Sequence, residues 1–503
     1  MEGGPCALCQ ELEEFDRESQ EILVGFTEQR REILGRINER HDPFIQRLPL
    51  ELASQVFTFC LPQQPVFVST GPYISLLWDA SKKSHIKPFN IVLGSICQSW
   101  RRIAWSTPNL WSILPIRLHQ QNTQSRVDLT LEWLRRSVQI PLDVVVYDST
   151  ATSEELTEEN VGLWMPLIDI VNGCSSRWRK FTVDAPELVC SYIVGNGEAT
   201  SILECLKFGD TYSRRFSTGF SLTNALPIPT ELVLSSPVPL RLIVIGWSNL
   251  TSVRFTGLYV NECLALLQRA CHLTTFLIDQ LLLGRDEFLP APAPTTHNTL
   301  EHFDIFGLDE EHTAQQLLDS LILPSLVELS YDSAYNSLDN VSAFLQRSGC
   351  RLTELRITGQ DPDYFSEVAP ASGLQALESL EYHGYLDPFL RCLNRSTNSD
   401  SNSLFLPNLH RLVIWGEPKN WSDLADLFLS RPLKTLSIQL HLDIDLEDET
   451  SWVDKEIALR FQDLVEKGHD IKIMGRLKGE MGEDRDLLLW FIKERMLEAR
   501  NND

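Results

Sequence analysis

Gly195-Asn-Gly197 and Gly246-Trp-Ser248 are the stretches of this 503-residue chain nearest to loops that act on phosphates and acyl groups. Neither is complete. A dinucleotide loop needs a third glycine and a following helix, so that backbone amides can approach the pyrophosphate. A nucleophile elbow needs a closing glycine to hold the serine on its strained turn, and Asn249-Leu250 follows Ser248 instead. No G-x-x-x-x-G-K-[ST] and no H-E-x-x-H occurs. Cys6-Ala-Leu-Cys9 is the one close cysteine pair; two thiolates cannot complete a four-ligand zinc site, and no strand precedes them as a redox motif would require. His302 and His312 lie near acids but in separate structural positions, as surface histidines do. Asp309, Glu310 and Glu311 suit a solvated turn. The expectation is a chain that is not an enzyme, without catalytic residues, metal or cofactor.

Composition narrows the classes further. Sixty-nine acidic against 44 basic residues give a net charge of −25, a field that repels nucleic-acid backbones. The longest apolar runs, such as Leu242-Ile-Val-Ile245, are far short of the roughly 20 residues a spanning helix needs, so no membrane partner is expected. The acidic start MEGGPCALCQELEEF is not a secretory signal, which deprives the acceptor patterns at Asn249 and Asn340 of meaning. Eleven cysteines without regular spacing suit reduced thiols in the cytoplasm or nucleus.

The elements that would position any site can be read from periodicity. Leu8, Leu12, Phe15, Ile22, Phe26 and Ile33 form a heptad seam with polar gaps at Ser19 and Gln29. This predicts a helix over residues 8 to about 41, either in a short coiled coil or packed singly on the domain after it. Residues 44–115 read as a small three-helix bundle with an insertion at about 63–88. Pro49 opens its first helix, and Leu93, Ile96, Cys97, Trp100, Ile103 and Ala104 make one continuous stripe on its second. Pro108 after Ser106-Thr107 starts a third helix carrying Leu110, Trp111 and Leu114.

From residue 126 helices and strands alternate, and an L-x-x-L-x-L-like motif recurs. From Leu250 its copies begin at Leu273, Leu300, Leu326, Leu352, Leu377, Leu409 and Leu433, at intervals of 23, 27, 26, 26, 25, 32 and 24 residues. A period of 20–29 residues with this pattern is the leucine-rich-repeat signature. Gly257, Gly307, Gly359, Gly384 and Gly416 stand where a turn with positive φ would leave each strand. The missing asparagine ladder and the Pro-rich stretch 212–247 predict an irregular solenoid over 126–440. Residues 441–503 read as its cap, with helices around Ile457–Leu464 and Leu487–Leu497 and a strand at Ile471–Ile473. The expected fold class is therefore α/β: a small helical bundle followed by an irregular leucine-rich-repeat-like solenoid.

Two segments carry a resemblance. Phe44-Ile-Gln-Arg-Leu-Pro-Leu-Glu-Leu-Ala-Ser-Gln-Val-Phe-Thr-Phe-Cys-Leu61 looks like the opening of an F-box, and Leu93-Gly-Ser-Ile-Cys-Gln-Ser-Trp-Arg-Arg-Ile-Ala-Trp-Ser-Thr-Pro-Asn-Leu-Trp111 like its second half. The chain is similar to the F-box proteins expanded in mushroom-forming fungi (basidiomycetes). It departs from them in Leu50, where proline is usual, in Val56-Phe57, and in its long insertion. The resemblance implies a substrate receptor of a cullin–RING (SCF-type) ubiquitin ligase, with a Skp-type adaptor and cullin as partners and an unidentified protein target selected by the C-terminal region. By motif position it assigns adaptor contact to Leu48, Pro49, Leu52, Val56, Ile96 and Trp100. The alternatives are a non-catalytic repeat scaffold whose degenerate F-box engages no ligase, and an enzyme on an α/β domain.

Overall fold

The computed structural model describes residues 6–41, 48–61, 89–118, 123–148, 158–196, 201–209, 217–223, 225–282, 294–307, 313–332, 338–359, 374–384, 386–395, 406–415, 420–430, 433, 435–444, 455–477, 485–486 and 488. The chain divides into two compact units, one of residues 1–68, 76–152 and 162–170, the other of residues 69–75, 153–161 and 171–503. The predicted insertion at 63–88, the helix stop at Asp42-Pro43 and most of the helix predicted at Leu487–Leu497 lie outside the described residues.

The first unit starts with helix α1 (Ala7–His41). Its seam residues are exposed, from Ile33 at 43% to Leu8 at 75%, so the seam is not packed on the rest of the unit. Then come α2 (Leu50–Phe59), α3 (Phe89–Ile96) and α4 (Gln98–Ser106). The single helix expected over Leu93–Ala104 is two. Cys97 is extended, at φ −153° and ψ 172°, and its Sγ accepts the Trp100 amide at 3.4 Å. A thiol thus caps the start of α4 where the apolar stripe shows no interruption. Arg101 Nε donates to the Gly94 carbonyl at 2.7 Å across the break. The expected third helix is a single 3₁₀ turn, Pro108–Trp111, leading straight into strand β1 (Ile113–Leu118). Helix α5 (Thr123–Arg136) comes next, then β2 (Leu142–Asp148), which pairs in parallel with β1.

Aromatic groups fix this core. Trp111 Nε1 donates to the Ala104 carbonyl at 2.8 Å, Trp133 Nε1 to the Trp111 carbonyl at 2.9 Å, and the two rings meet edge to face at 4.9 Å. Each indole buries a large apolar area while its one donor is satisfied.

The second unit is built on one parallel sheet. Its strands are β3 (Trp178–Asp184), β4 (Cys205–Gly209), β5 (Glu231–Leu234), β6 (Ser252–Phe255), β7 (Thr275–Ile278), β8 (His302–Ile305), β9 (Glu328–Asp332), β10 (Glu354–Gly359), β11 (Ser379–Gly384), β12 (Arg411–Trp415), β13 (Thr435–Ile444) and β14 (Asp470–Leu477). These lie side by side in chain order, and β15 (Arg485–Asp486) closes the edge antiparallel to β14. Helices fill the crossovers, among them Val260–Arg269, Thr313–Asp319, Leu338–Ser348, Trp421–Ser430 and Lys455–Glu466. Such crossovers are how parallel neighbours must be joined.

This architecture corrects the expected fold class. The chain is α/β with a run of twelve parallel strands, not a small helical bundle followed by a leucine-rich-repeat-like solenoid. Each motif copy from Leu250 to Leu433 does hold a strand, β6 to β13, but the motif spacing misled because the ladder extends beyond the motif at both ends. It passes through β5, inside the aperiodic 212–247 stretch, and continues into β14, inside the expected cap. The first unit is not purely helical either, because β1 and β2 belong to it.

Register explains the alternation of side chains. Val253, Phe276, Phe303, Leu329, Leu355, Leu380, Leu412 and Leu436 are successive partners, as are Phe255, Ile278, Ile305, Tyr331, Ile357, Tyr382, Ile414 and Ile438. Through Ile414 both rows are buried, while the residues between them point to the opposite face. Of the glycines expected at positive φ, Gly307 has it, at +57°; Gly257 does not, Gly359 and Gly384 end strands, and Gly416 is outside the described residues.

Candidate functional site

The six residues assigned to adaptor contact fall on the start of α2, its outer face, and the α3–α4 junction. Leu48 is half-buried and Pro49 is exposed. Pro49 adopts φ −52° and ψ 147° immediately before the first helical residue, where its lack of an amide costs nothing. On α2 the spacing separates two faces. Ala53 and Phe57 are buried, whereas Leu52 is 46% exposed and Val56 half-buried. Ile96 ends α3 at 50% exposure, and Trp100, in the first turn of α4, is half-buried.

Trp100 is joined to α2 through Phe57, with ring centroids 4.9 Å apart. The Thr107 hydroxyl links the end of α4 to α2 as well, lying 2.8 Å from the Ile103 carbonyl and 3.0 Å from Ser54 Oγ. None of the six residues is fully buried, so each offers apolar surface at the cost of leaving it wet. Sequence reasoning missed Phe59, exposed at 87%, and Leu50 at 49%. Phe59 stands seven residues after Leu52, and that helical spacing was the signal for it.

The second unit carries a polar array on the sheet face opposite the buried rows. Arg254 on β6 pairs with Asp279 just past β7 at 2.8 Å. His302 Nδ1 donates to Glu328 at 2.8 Å. Glu381 on β11 is the most connected: Arg356 Nε and His383 Nε2 each reach it at 2.9 Å and Trp415 Nε1 at 2.8 Å. Burial works to raise the Glu381 carboxyl, but the His383 hydrogen bond and the Arg356 guanidinium outweigh it and hold the group down to about 2. For Asp279 burial wins over Arg254, and for Asp304 it wins over the neighbouring Ser330 hydroxyl; both carboxyls are raised. Arg254 with Asp279, His302 with Glu328, and Glu381 with Arg356 and His383 thus hold their charged groups against one another. Among the described residues no cluster of His, Cys, Asp or Glu could hold a metal ion.

The weak motifs fall elsewhere. Gly195 has φ +62°, and its amide donates to Asn172 Oδ1 at 3.0 Å, which makes the loop a structural turn. Trp247–Asn249 is a single 3₁₀ turn. The Cys6 and Cys9 sulfurs are 3.3 Å apart at the exposed start of α1. His312 and the nearby acids lie outside the described residues.

No family model matches the chain, and no curated protein matches it either. No helix among the described residues is long and apolar enough to cross a membrane.

Proposed function

We propose that the chain is a substrate receptor of an SCF-type ubiquitin ligase, acting in the cytoplasm or nucleus. The α2–α4 surface docks on a Skp-type adaptor and thereby on a cullin, and the parallel-sheet unit selects a protein target. The observation that carries this is the placement of Leu52, Val56, Ile96 and Trp100 on short helices that leave them exposed or half-buried, at the positions where the sequence resembles an F-box. Exposed apolar side chains around a half-buried tryptophan are the kind of anchor from which interfaces draw most of their energy. The role supplies proximity between ligase and target and no bond chemistry of its own.

The test is co-purification of adaptor and cullin with the full chain from a fungal host, beside a variant carrying Leu48→Ala, Pro49→Ala and Leu52→Ala whose fold is checked by circular dichroism. The proposal expects adaptor on the parent chain and none on the folded variant. A well-folded parent chain without adaptor overturns it and leaves a non-catalytic scaffold.

A further inference from the structure

We infer that α1 is a dimerisation helix, pairing antiparallel with α1 of a second copy of this chain. The helix is 35 residues long, and from Cys6 to Ile37 every side chain except half-buried Ser19 is exposed. Leu8, Leu12, Phe15, Ile22, Phe26 and Ile33 are 43–75% exposed along one seam. Helices in proteins draw most of their stability from packing of an apolar face, and Gly25 and Gly35 weaken this one further, so the seam needs a cover.

Two observations choose the cover. The first is the order of the seam. When Ile22 is set opposite Phe26 of the second copy, Phe15 falls opposite Ile33, and Ser19 opposite Gln29. The four apolar residues Phe15, Ile22, Phe26 and Ile33 meet one another and the two polar gaps meet each other, while Leu12 falls opposite Arg36, an arginine whose stem can lie along apolar surface with its charge in water. Leu23 then lies beside Leu23 of the second copy on one flank, next to a pairing of Asp16 with Arg30. On the other flank Glu18 comes near Glu32, an unfavourable pair that water and salt screen at an exposed edge.

The second is charge. Residues 7–24 hold six acids and one arginine, whereas residues 25–37 hold three arginines and two acids. Antiparallel pairing lays the acidic half against the basic one. Parallel pairing sets the acidic half against itself, places Arg36 opposite Arg36 in the seam, and brings Glu11 against Asp16 on the flank.

Sedimentation equilibrium of the full chain tests this. The expected result is a dimer that Ile22→Glu with Phe26→Glu reduces to monomer, with the circular dichroism of the remaining fold retained. Asp16→Arg alone sets arginine against Arg30 and weakens the dimer by about tenfold, and adding Arg30→Asp restores it. A chain that stays monomeric at all concentrations overturns the inference, as does a dimer indifferent to Ile22→Glu with Phe26→Glu. So does a dimer strengthened by Asp16→Arg, because that substitution relieves the Glu11–Asp16 clash of a parallel pair.

Discussion

Phe57 on α2 and Trp100 on α4 meet with ring centroids 4.9 Å apart and planes inclined by 45°. Phe57 is 3% exposed and belongs to the core, while Trp100 is half-buried and belongs partly to the surface. One contact therefore ties the stability of the first unit to the residue proposed to anchor the adaptor. Phe57→Ala should cost about 3–5 kcal/mol of unfolding free energy and lower adaptor capture through loss of fold. Trp100→Leu should cost less than Phe57→Ala in urea denaturation yet lower adaptor capture more per unit of stability lost. Equal losses of capture at equal stability would make Trp100 a core residue only.

Leu52 and Ile96 separate docking from folding more cleanly. Both are about half exposed, so Leu52→Glu and Ile96→Glu leave little apolar burial to lose. Each should shift stability by no more than about 0.5 kcal/mol in a denaturation titration. Each should also abolish adaptor co-purification, because a carboxylate would be desolvated against an apolar partner. Undiminished capture by both variants would remove this face from the interface.

The strands of the second unit were legible because alternation has a period of two. Val253 and Phe255, or Leu329 and Tyr331, announce one buried face wherever they recur. The fold class was not legible. Leu232 and Leu234 form a buried strand inside a Pro-rich stretch with no motif, and nothing local says that β5 bridges its neighbours. The break at Cys97 was hidden for a related reason. Its extended backbone and thiol cap are compatible with the same apolar stripe that an unbroken helix would show. Of the candidate docking residues, sequence supplied those that resembled a motif and passed over Phe59, whose exposure is a matter of packing. The Glu381 array was beyond reach, since its partners come from strands 25 and 34 residues away.

Gly307 tests how tightly neighbouring segments approach past the strand ends. Its φ is +57°, and a Cβ there would stand 2.5 Å from the Asp279 carbonyl oxygen. That atom is backbone and cannot swing aside. Gly307→Ala should therefore exceed the roughly 1 kcal/mol that a left-handed alanine costs by itself. Gly35→Ala, at a helical position with nothing within 4 Å, should be neutral or stabilising. A Gly307→Ala chain as stable as the parent in thermal unfolding would show that the turn gives way freely.

Glu381 sets a pH dependence whose sign can be worked out. Its folded carboxyl lies at about 2 against an ordinary 4.5, so the unfolded chain takes up the proton first. The stabilisation is fully present above about pH 4.5 and is lost as pH falls toward 2. Asp279 and Asp304 act in the opposite sense: their folded carboxyls are raised, so their unfavourable burial as anions is relieved on acidification. Glu381→Gln removes the anion that Arg356, His383 and Trp415 surround. It should cost about 1.5–3 kcal/mol at pH 7, the range for hydrogen bonds to a charged group. The gap between the parent chain and Glu381→Gln should narrow steadily from pH 5 to pH 2 in urea titrations at matched ionic strength. A gap that stays constant over that range would mean the carboxylate's charge contributes nothing, and that the array holds together by shape and neutral hydrogen bonds alone.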